Sequence, residues 1–394
     1  MARVVKVEIR HVRMTLKKKI KHASHDRATS DSVIVVVHLE NGQTGFGEGV
    51  PRDYVTGETI ESAMACLRSW NLAEIAGSPS TYAELVNRLD TWAPETGPDD
   101  TRKIQANAAR CAAEIAILDA FSRHFGQPLG DAIGLSPVAG QVNQGPPERV
   151  RYSGAITAET PFKEKISATK MRIWGFHQVK VKAGVAGQDD AARLKRIRRR
   201  LGKHCNIRID ANEAWTPTEF GFWSDTLSFA HPSAYEQPVA HEVVAQLGEP
   251  RFRTPYPVIL DESLCGLVDA ESAIQGGFGE IFNLRLSKCG GILPSLRLAA
   301  KAAQSGRKYG LGCHPGESPI LSAAGRAFAS RVRDLVFLEG SYDRHVLATH
   351  FGTPDITFGY GGLTKPLSGP GLGISININK LDAMTISREV LQND

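Results

Sequence analysis

The sequence has no CxxC pair, and its six cysteines (Cys66, Cys111, Cys205, Cys265, Cys289 and Cys313) are scattered along 394 residues. That excludes a thiolate zinc site and a disulfide framework, and reads as reduced thiols. No stretch approaches the roughly 20 apolar residues that cross a bilayer. The opening MARVVKVEIRHVRMTLKKKIK alternates apolar and polar residues and lacks a signal core, so a cytoplasmic, non-membrane protein is expected. There is no GxGxxG phosphate loop. The excess of one charge is small: the formal net charge is +5, which suits anionic small molecules as well as nucleic acid. One basic run, RLKRIRRRLGKH at 193–204, has no interleaved aromatics. Leu194, Ile197 and Leu201 share one helical face there, so a solvated outer helix is expected, with no nucleic-acid partner.

What is present falls into two textures. Over the first 50 residues Val5, Val7 and Ile9, then Val12, Met14 and Leu16, predict one long strand with a bulge or bend. Val33–Leu39 follows, and the ENGQ turn leads into a strand over Thr44–Val50. The glycines of GFGEG at 45–49 open no helix and read as hairpin material. Residues 59–125 read as helical, most clearly Lys103–Phe125, and the Pro- and Gly-rich stretch 135–150 reads as a linker.

From about 151 a strand–helix repeat begins. Its strands are expected at Arg151–Ile156, His177–Lys182, Asn206–Asp210, Ala234–Glu236, Val258–Asp261, Ile281–Leu286, Tyr309–Cys313 and Leu335–Glu339. Eight strands, each followed by helical sequence, predict an α/β fold built on a parallel (β/α) barrel. A doubly wound sheet would need a phosphate loop after its first strand, and RYSGAITAET has none. The glycine-rich 359–373 is expected to return to the first domain.

Barrel enzymes carry their chemistry at the C-terminal strand ends. Asp210, Glu236 and Asp261 end three consecutive strands. Three facing carboxylates repel unless a cation neutralises them, and an all-oxygen set favours Mg²⁺, or alternatively Mn²⁺. Taken singly, each acid could instead cap a helix or pair with a lysine. Lys180 and Lys182, two apart on one strand, both point inward opposite Val179 and Val181. Their mutual repulsion is expected to lower one amine's pKa and free a base.

VKVKAG, RIDANEAW, YEQPV, LDESL and LSKCGG, in this order and spacing, resemble the enolase superfamily, and within it the muconate lactonizing enzyme subgroup. GQTGFGEGVPRDYVTGET resembles that family's N-terminal cap, and GPGLGISIN its C-terminal return. The resemblance implies a (β/α)₇β modified TIM barrel at 146–354 with an α+β capping domain, 1–145 plus 355–394. It implies Mg²⁺ on Asp210, Glu236 and Asp261, and a carboxylate substrate that loses its α-proton to Lys182, with Lys180 as supporting cation. It also implies a homo-oligomer.

The sequence departs from the subgroup at strand six. Aligning FNLRLSKCGG on its KxGG ending puts Arg285 where the subgroup has a second lysine, with Lys288 beyond the strand. Arginine stays protonated, so it is a poor proton acceptor. A one-base cycloisomerase or lyase of dehydratase type is therefore expected, with Arg285 as a fixed cation, a fork for a second carboxylate, or a bridge to Asp261 or Glu262. The alternatives are a racemase or epimerase using Arg285 or His314 as second acid–base, and a barrel that only binds a ligand. His314, Glu317, Glu339 and Asn212 are expected at the substrate, as are Arg52 and Tyr54 from one cap loop. His22, His25 and Arg27 fall in another.

Overall fold

The computed structural model describes residues 2–21, 26–157 and 160–392. Eight strands form one sheet in chain order: Gly154–Ile156, Gln178–Lys182, Asn206–Asp210, Pro232–Glu236, Val258–Leu260, Ile281–Leu284, Lys308–Leu311 and Leu335–Leu338. They are counted below as barrel strands one to eight. Every neighbouring pair is parallel. The backbone bond from Ser153 N to Leu338 O, 2.7 Å, ties strand one to strand eight and curls the sheet shut. This is the α/β barrel that the repeat predicted.

Two details differ from expectation. The crossover between strands four and five contains only short 3₁₀ turns, Val244–Gly248 and Pro250–Phe252. Pro238, Pro250, Pro255 and Pro257 crowd it, and each removes a helix donor. Strand six stops at Leu284 rather than Leu286. Arg285 is extended, and Leu286–Cys289 turn helical before Gly290 and Gly291 at φ 90° and 123°. Ser287 therefore leaves the strand face and takes Val50 N as a donor at 2.7 Å.

The barrel interior is layered by the two-residue alternation of its strands. Ala234, Ile259, Ile281 and Phe337 form a separate apolar cluster. Each stands two residues before an inward polar side chain: Glu236, Asp261, Asn283 and Glu339. The floor is apolar and the mouth is charged.

The cap is an antiparallel sheet with strand order Thr385–Gln392, Val4–Lys21, Asp26–Leu39, Thr44–Gly49. The C-terminal return is thus an edge strand of the cap. The register shift between His11 and Val12 leaves the extra residue, Ile386, on the C-terminal edge strand, while the pairing of Val4–Lys21 with Asp26–Leu39 runs through that point unbroken. Val4, not Val5, faces inward: Val4 is 4% exposed and Val5 39%. The longest cap helix, Asn107–His124, starts later than the expected Lys103. It lies directly on Thr44–Gly49. A Cβ at Gly45, Gly47 or Gly49 would overlap the helix backbone at Ala116, Ala112 or Ala108. So the alternate glycines of GFGEG meet alanines every fourth residue, and neither side chain keeps the elements apart. The segment read as a linker holds a short helix, Ala139–Val142, and Val150–Arg151 pairs with Leu363–Thr364. The helix Asp190–Leu201 buries Leu194, Ile197 and Leu201 as expected, and it also buries Arg193 against Glu164 (2.7 Å) and Asp190 (2.5 Å).

Gly47→Ala forces a methyl into a backbone contact, so denaturant unfolding should show a loss of about 2–3 kcal/mol. Glu8 is buried among Arg10 (2.7 Å), Arg388 (2.6 Å) and Lys6 (2.9 Å). Burial opposes its charge, yet these cations hold it at about 2 against an ordinary 4.5. Its contribution is then full above pH 4.5 and lost as pH falls towards 2. Glu8→Gln should cost about 2 kcal/mol at pH 7 and flatten the stability curve across that acid window.

Candidate active site

Lys182, Asp210 and Glu236 stand in one row across strands two, three and four, since Lys182 pairs with Asp210 and Asp210 with Glu236 in the ladders. Asp261 follows strand five. All three acids are at most 1% exposed. Burying such charges is costly unless counter-charges are close, and here the counter-charges are side chains. Lys180 Nζ lies 2.9 Å from Glu339, 3.1 Å from Glu236 and 3.4 Å from Asp210. Burial works against its charge, but these carboxylates hold its pKa well above the ordinary amine range. Lys180 therefore stays protonated. The expectation that repulsion frees one of the two amines does not hold for it, because three acids outweigh one neighbouring lysine. Lys182 is 3.8 Å from Asp210 and donates to Asn212 Oδ1. Asn212 in turn donates to Glu262 at 3.3 Å.

Arg285 donates to Asp261 Oδ2, and Lys288 Nζ to Asp261 Oδ1 at 3.0 Å. Against the cost of burial, the two cations hold the Asp261 carboxyl well below the usual range. The bridge from Arg285 to Asp261 is the observed alternative. Lys288 is sealed beyond the strand, with further bonds to Asp261 O (2.6 Å) and Asn283 O (2.8 Å).

At strand end seven, His314 is 3% exposed and its Nδ1 is enclosed without a hydrogen-bond partner. Burial, then the Arg285 and Arg52 guanidinium groups, push its pKa well below 6.5, so the imidazole is neutral at pH 7. Glu317 Oε1 lies 3.8 Å from that Nδ1 and accepts His314 N at 2.5 Å. Burial raises the Glu317 carboxyl to about 8. Glu339 is not free at the mouth, because it binds Lys180 and Arg208. Arg52 is buried and bonds Ser30 Oγ (3.0 Å), Asp31 O (3.1 Å) and Pro51 O (2.7 Å). Tyr54 OH accepts from Arg27 at 2.7 Å. His22 and His25 lie outside the described residues.

Sequence reasoning missed four members of this network. Arg208 points inward two residues before Asp210, so the alternation that located the lysines would have found it. Asn283, two before Arg285, donates to Glu236 at 3.1 Å. Gln237 accepts from Asp261 N at 2.9 Å and Ser263 N at 3.2 Å, bracing strand end five. Lys288 lies past the strand, and nothing local signals that its amine turns back to Asp261.

The donor set suits a hard divalent cation. It is all oxygen, and Asp210 Oδ2 and Glu236 Oε2 are buried without hydrogen-bond partners. Among the described residues, no group of three or more His, Cys, Asp or Glu side chains stands ready to hold a metal ion. Lys180 and Arg285 lie among the acids instead.

A parallel barrel with acids, amines and an imidazole gathered at its strand ends defines a barrel enzyme. The chain belongs to the enolase superfamily: the family pattern described as "Enolase C-terminal domain-like" matches residues 164–380. It is accordingly an isomerase or lyase of that superfamily. An N-succinyl-L-Arg/Lys racemase from Bacillus cereus is 26% identical, with 92% of each chain covered. Muconate cycloisomerase 1 from Rhodococcus opacus is also 26% identical, over 97% of this chain and 98% of its own. Among solved structures, a dipeptide epimerase from Cytophaga hutchinsonii, complexed with Mg and the dipeptide D-Ala-L-Val, superposes with a TM-score of 0.82. That pair is 23% identical over 99% of this chain and 100% of the other, and shows the shared fold. No helix of the described residues is long and apolar enough to cross a membrane.

Lys288→Met leaves Asp261 with one cation fewer in a sealed site. Denaturant unfolding should show a loss of about 3 kcal/mol, and an unchanged midpoint would mean that Lys288 supports nothing.

Proposed function

We propose that this chain racemises or epimerises a small carboxylate at its α-carbon, with Lys182 as acid–base on one face and His314 on the other. The observation that carries this reading is the pairing of two proton carriers on separate strand ends, two and seven. His314 is neutral at pH 7, so it is able to accept a proton. Arg285, locked on Asp261, does not do so. The racemase and epimerase activities of the relatives support this outcome over the one-base cycloisomerase or lyase expected from Arg285 alone.

Asp210, Glu236 and Asp261 would hold Mg²⁺. When bound, that ion supplies positive charge that lowers the cost of negative charge on the substrate carboxylate. The chain's residues do the rest. Lys180, kept charged by its acids, adds a fixed cation beneath the substrate carboxylate. Asn212 orients the Lys182 side chain. The neutral His314 imidazole takes the α-proton of one stereoisomer, and the planar enediolate then receives a proton from the Lys182 ammonium on the opposite face; in the reverse reaction Lys182 takes the proton and the His314 imidazolium returns its own. Arg285 stabilises the negative charge and keeps Asp261 aligned.

One observation favours a second reading. Burial raises the Glu317 carboxyl to about 8, so it is protonated at neutral pH and able to protonate a leaving group. A dehydratase with Lys182 as its single base would use it in that way.

The test is α-proton exchange in D₂O, followed by NMR over a panel of N-acyl amino acids and dipeptides. Wild type should deuterate and interconvert both stereoisomers. Lys182→Ala and His314→Asn should each keep exchange with one stereoisomer only, losing about 10²–10⁴-fold on the other. A wild type that exchanges one stereoisomer only, at a rate His314→Asn leaves unchanged, would transfer the case to the one-base reading. Exchange of both in Lys182→Ala would remove the assigned base.

A further inference from the structure

Two buried carboxylates of the cap reach helix starts of the barrel. Glu114, from the long cap helix, accepts Ile292 N at 2.5 Å and Leu293 N at 3.3 Å behind strand end six. Glu48, from Thr44–Gly49, does more behind strand end seven. It is 0% exposed and accepts Ser318 N at 3.0 Å, Ser318 Oγ at 2.5 Å and Leu321 N at 3.2 Å. Ser32 on the neighbouring cap strand donates to it at 3.0 Å. Among the described residues Glu48 forms no ion pair; burial raises its carboxyl pKa and these hydrogen bonds oppose the rise, with the Arg52 guanidinium within electrostatic reach.

This is more than helix capping needs. Ser318 already caps its own helix by accepting Ile320 N at 3.1 Å. What Glu48 adds is a tie between cap and loop at Ser318. From there the loop closes on itself: Glu317 N donates to His314 O at 3.1 Å, and His314 N donates to the Glu317 side chain. Gly316, at φ 95°, lies against Ser30 of the cap, where a Cβ would collide. The His314 backbone is thus held in a short hydrogen-bonded loop whose far end is anchored on a cap carboxylate. Lys182 is carried by strand two, and its bonds to Asn212 and Asp210 involve no cap residue.

We propose that Glu48 is a positioning residue for the His314 loop, so that proton transfer on the His314 face depends on the cap and transfer on the Lys182 face does not. The inference rests on the two-face reading above. It makes the cap a part of the catalytic geometry as well as a lid over it.

The experiment pairs two readouts on the full chain with Glu48→Ala and, should that variant not fold, Glu48→Gln. Amide hydrogen exchange should quicken about tenfold or more across 314–322 and stay unchanged at 206–212. Deuteration of the stereoisomer that depends on His314 should fall about tenfold or more, while the Lys182-dependent stereoisomer stays within about twofold of wild type. Unchanged amide exchange at 314–322 would overturn the proposal, as would an equal fall for both stereoisomers. A wild type that deuterates neither stereoisomer would overturn the two-face reading, and the amide measurement alone would then decide whether Glu48 anchors the loop.

Discussion

The structure depends on one electrostatic constraint. Asp210, Glu236 and Asp261 are carried to the same barrel mouth and buried there. A trio of carboxylates with almost no solvent access is stable only when positive charge is built in beside it. Lys180 and Arg208 supply that charge from strands two and three, and Arg285 and Lys288 from the turn that follows strand six. The same arrangement explains why the amines are not equivalent. Lys180 is surrounded by acids and held protonated, whereas Lys182 stands one pleat higher, against Asp210 and Asn212. Identical side chains two residues apart thus meet different surroundings.

The second constraint is how the cap meets the barrel. Alternate glycines on Thr44–Gly49 admit the alanine face of Asn107–His124 at backbone contact, and Glu48, on the opposite face of that strand, reaches Ser318 and Leu321 of the barrel. Buried acids of the cap then end on barrel amides. The wall carrying Arg285 and His314 is braced from outside, through Val50, Glu114 and Glu48, while the row of strands two to four is braced from within by its own charge pairs.

Much of this was legible in the chain. The spacing of strands and the acids at their ends gave the barrel and its mouth, because period-two alternation and strand-end placement are local signals. Lys180 and Lys182 faced inward for the same reason. What local pattern does not carry is who partners whom. Arg285 was recognisable as out of place, yet its bond to Asp261 is a contact between strand ends 24 residues apart. Lys288 and Gln237 act by turning back across a loop, and Glu48 acts across 270 residues of sequence. The glycine run reads as turn material because its real partner, the helix Asn107–His124, leaves no mark beside it. The one-base expectation came from strand six alone. The neutral, enclosed His314 and the relatives' activities shift the weight to chemistry on two faces.

Asp210, Glu236 and Asp261 are proposed as a Mg²⁺ site whose charge is balanced in advance by Lys180, Arg285 and Lys288. Isothermal titration of Mg²⁺ tests it most directly. Wild type should bind one ion, and Glu236→Gln, which keeps the side chain's shape and removes its charge, should weaken binding about tenfold or more. Equal affinity in the two proteins, or no binding by wild type, would contradict it.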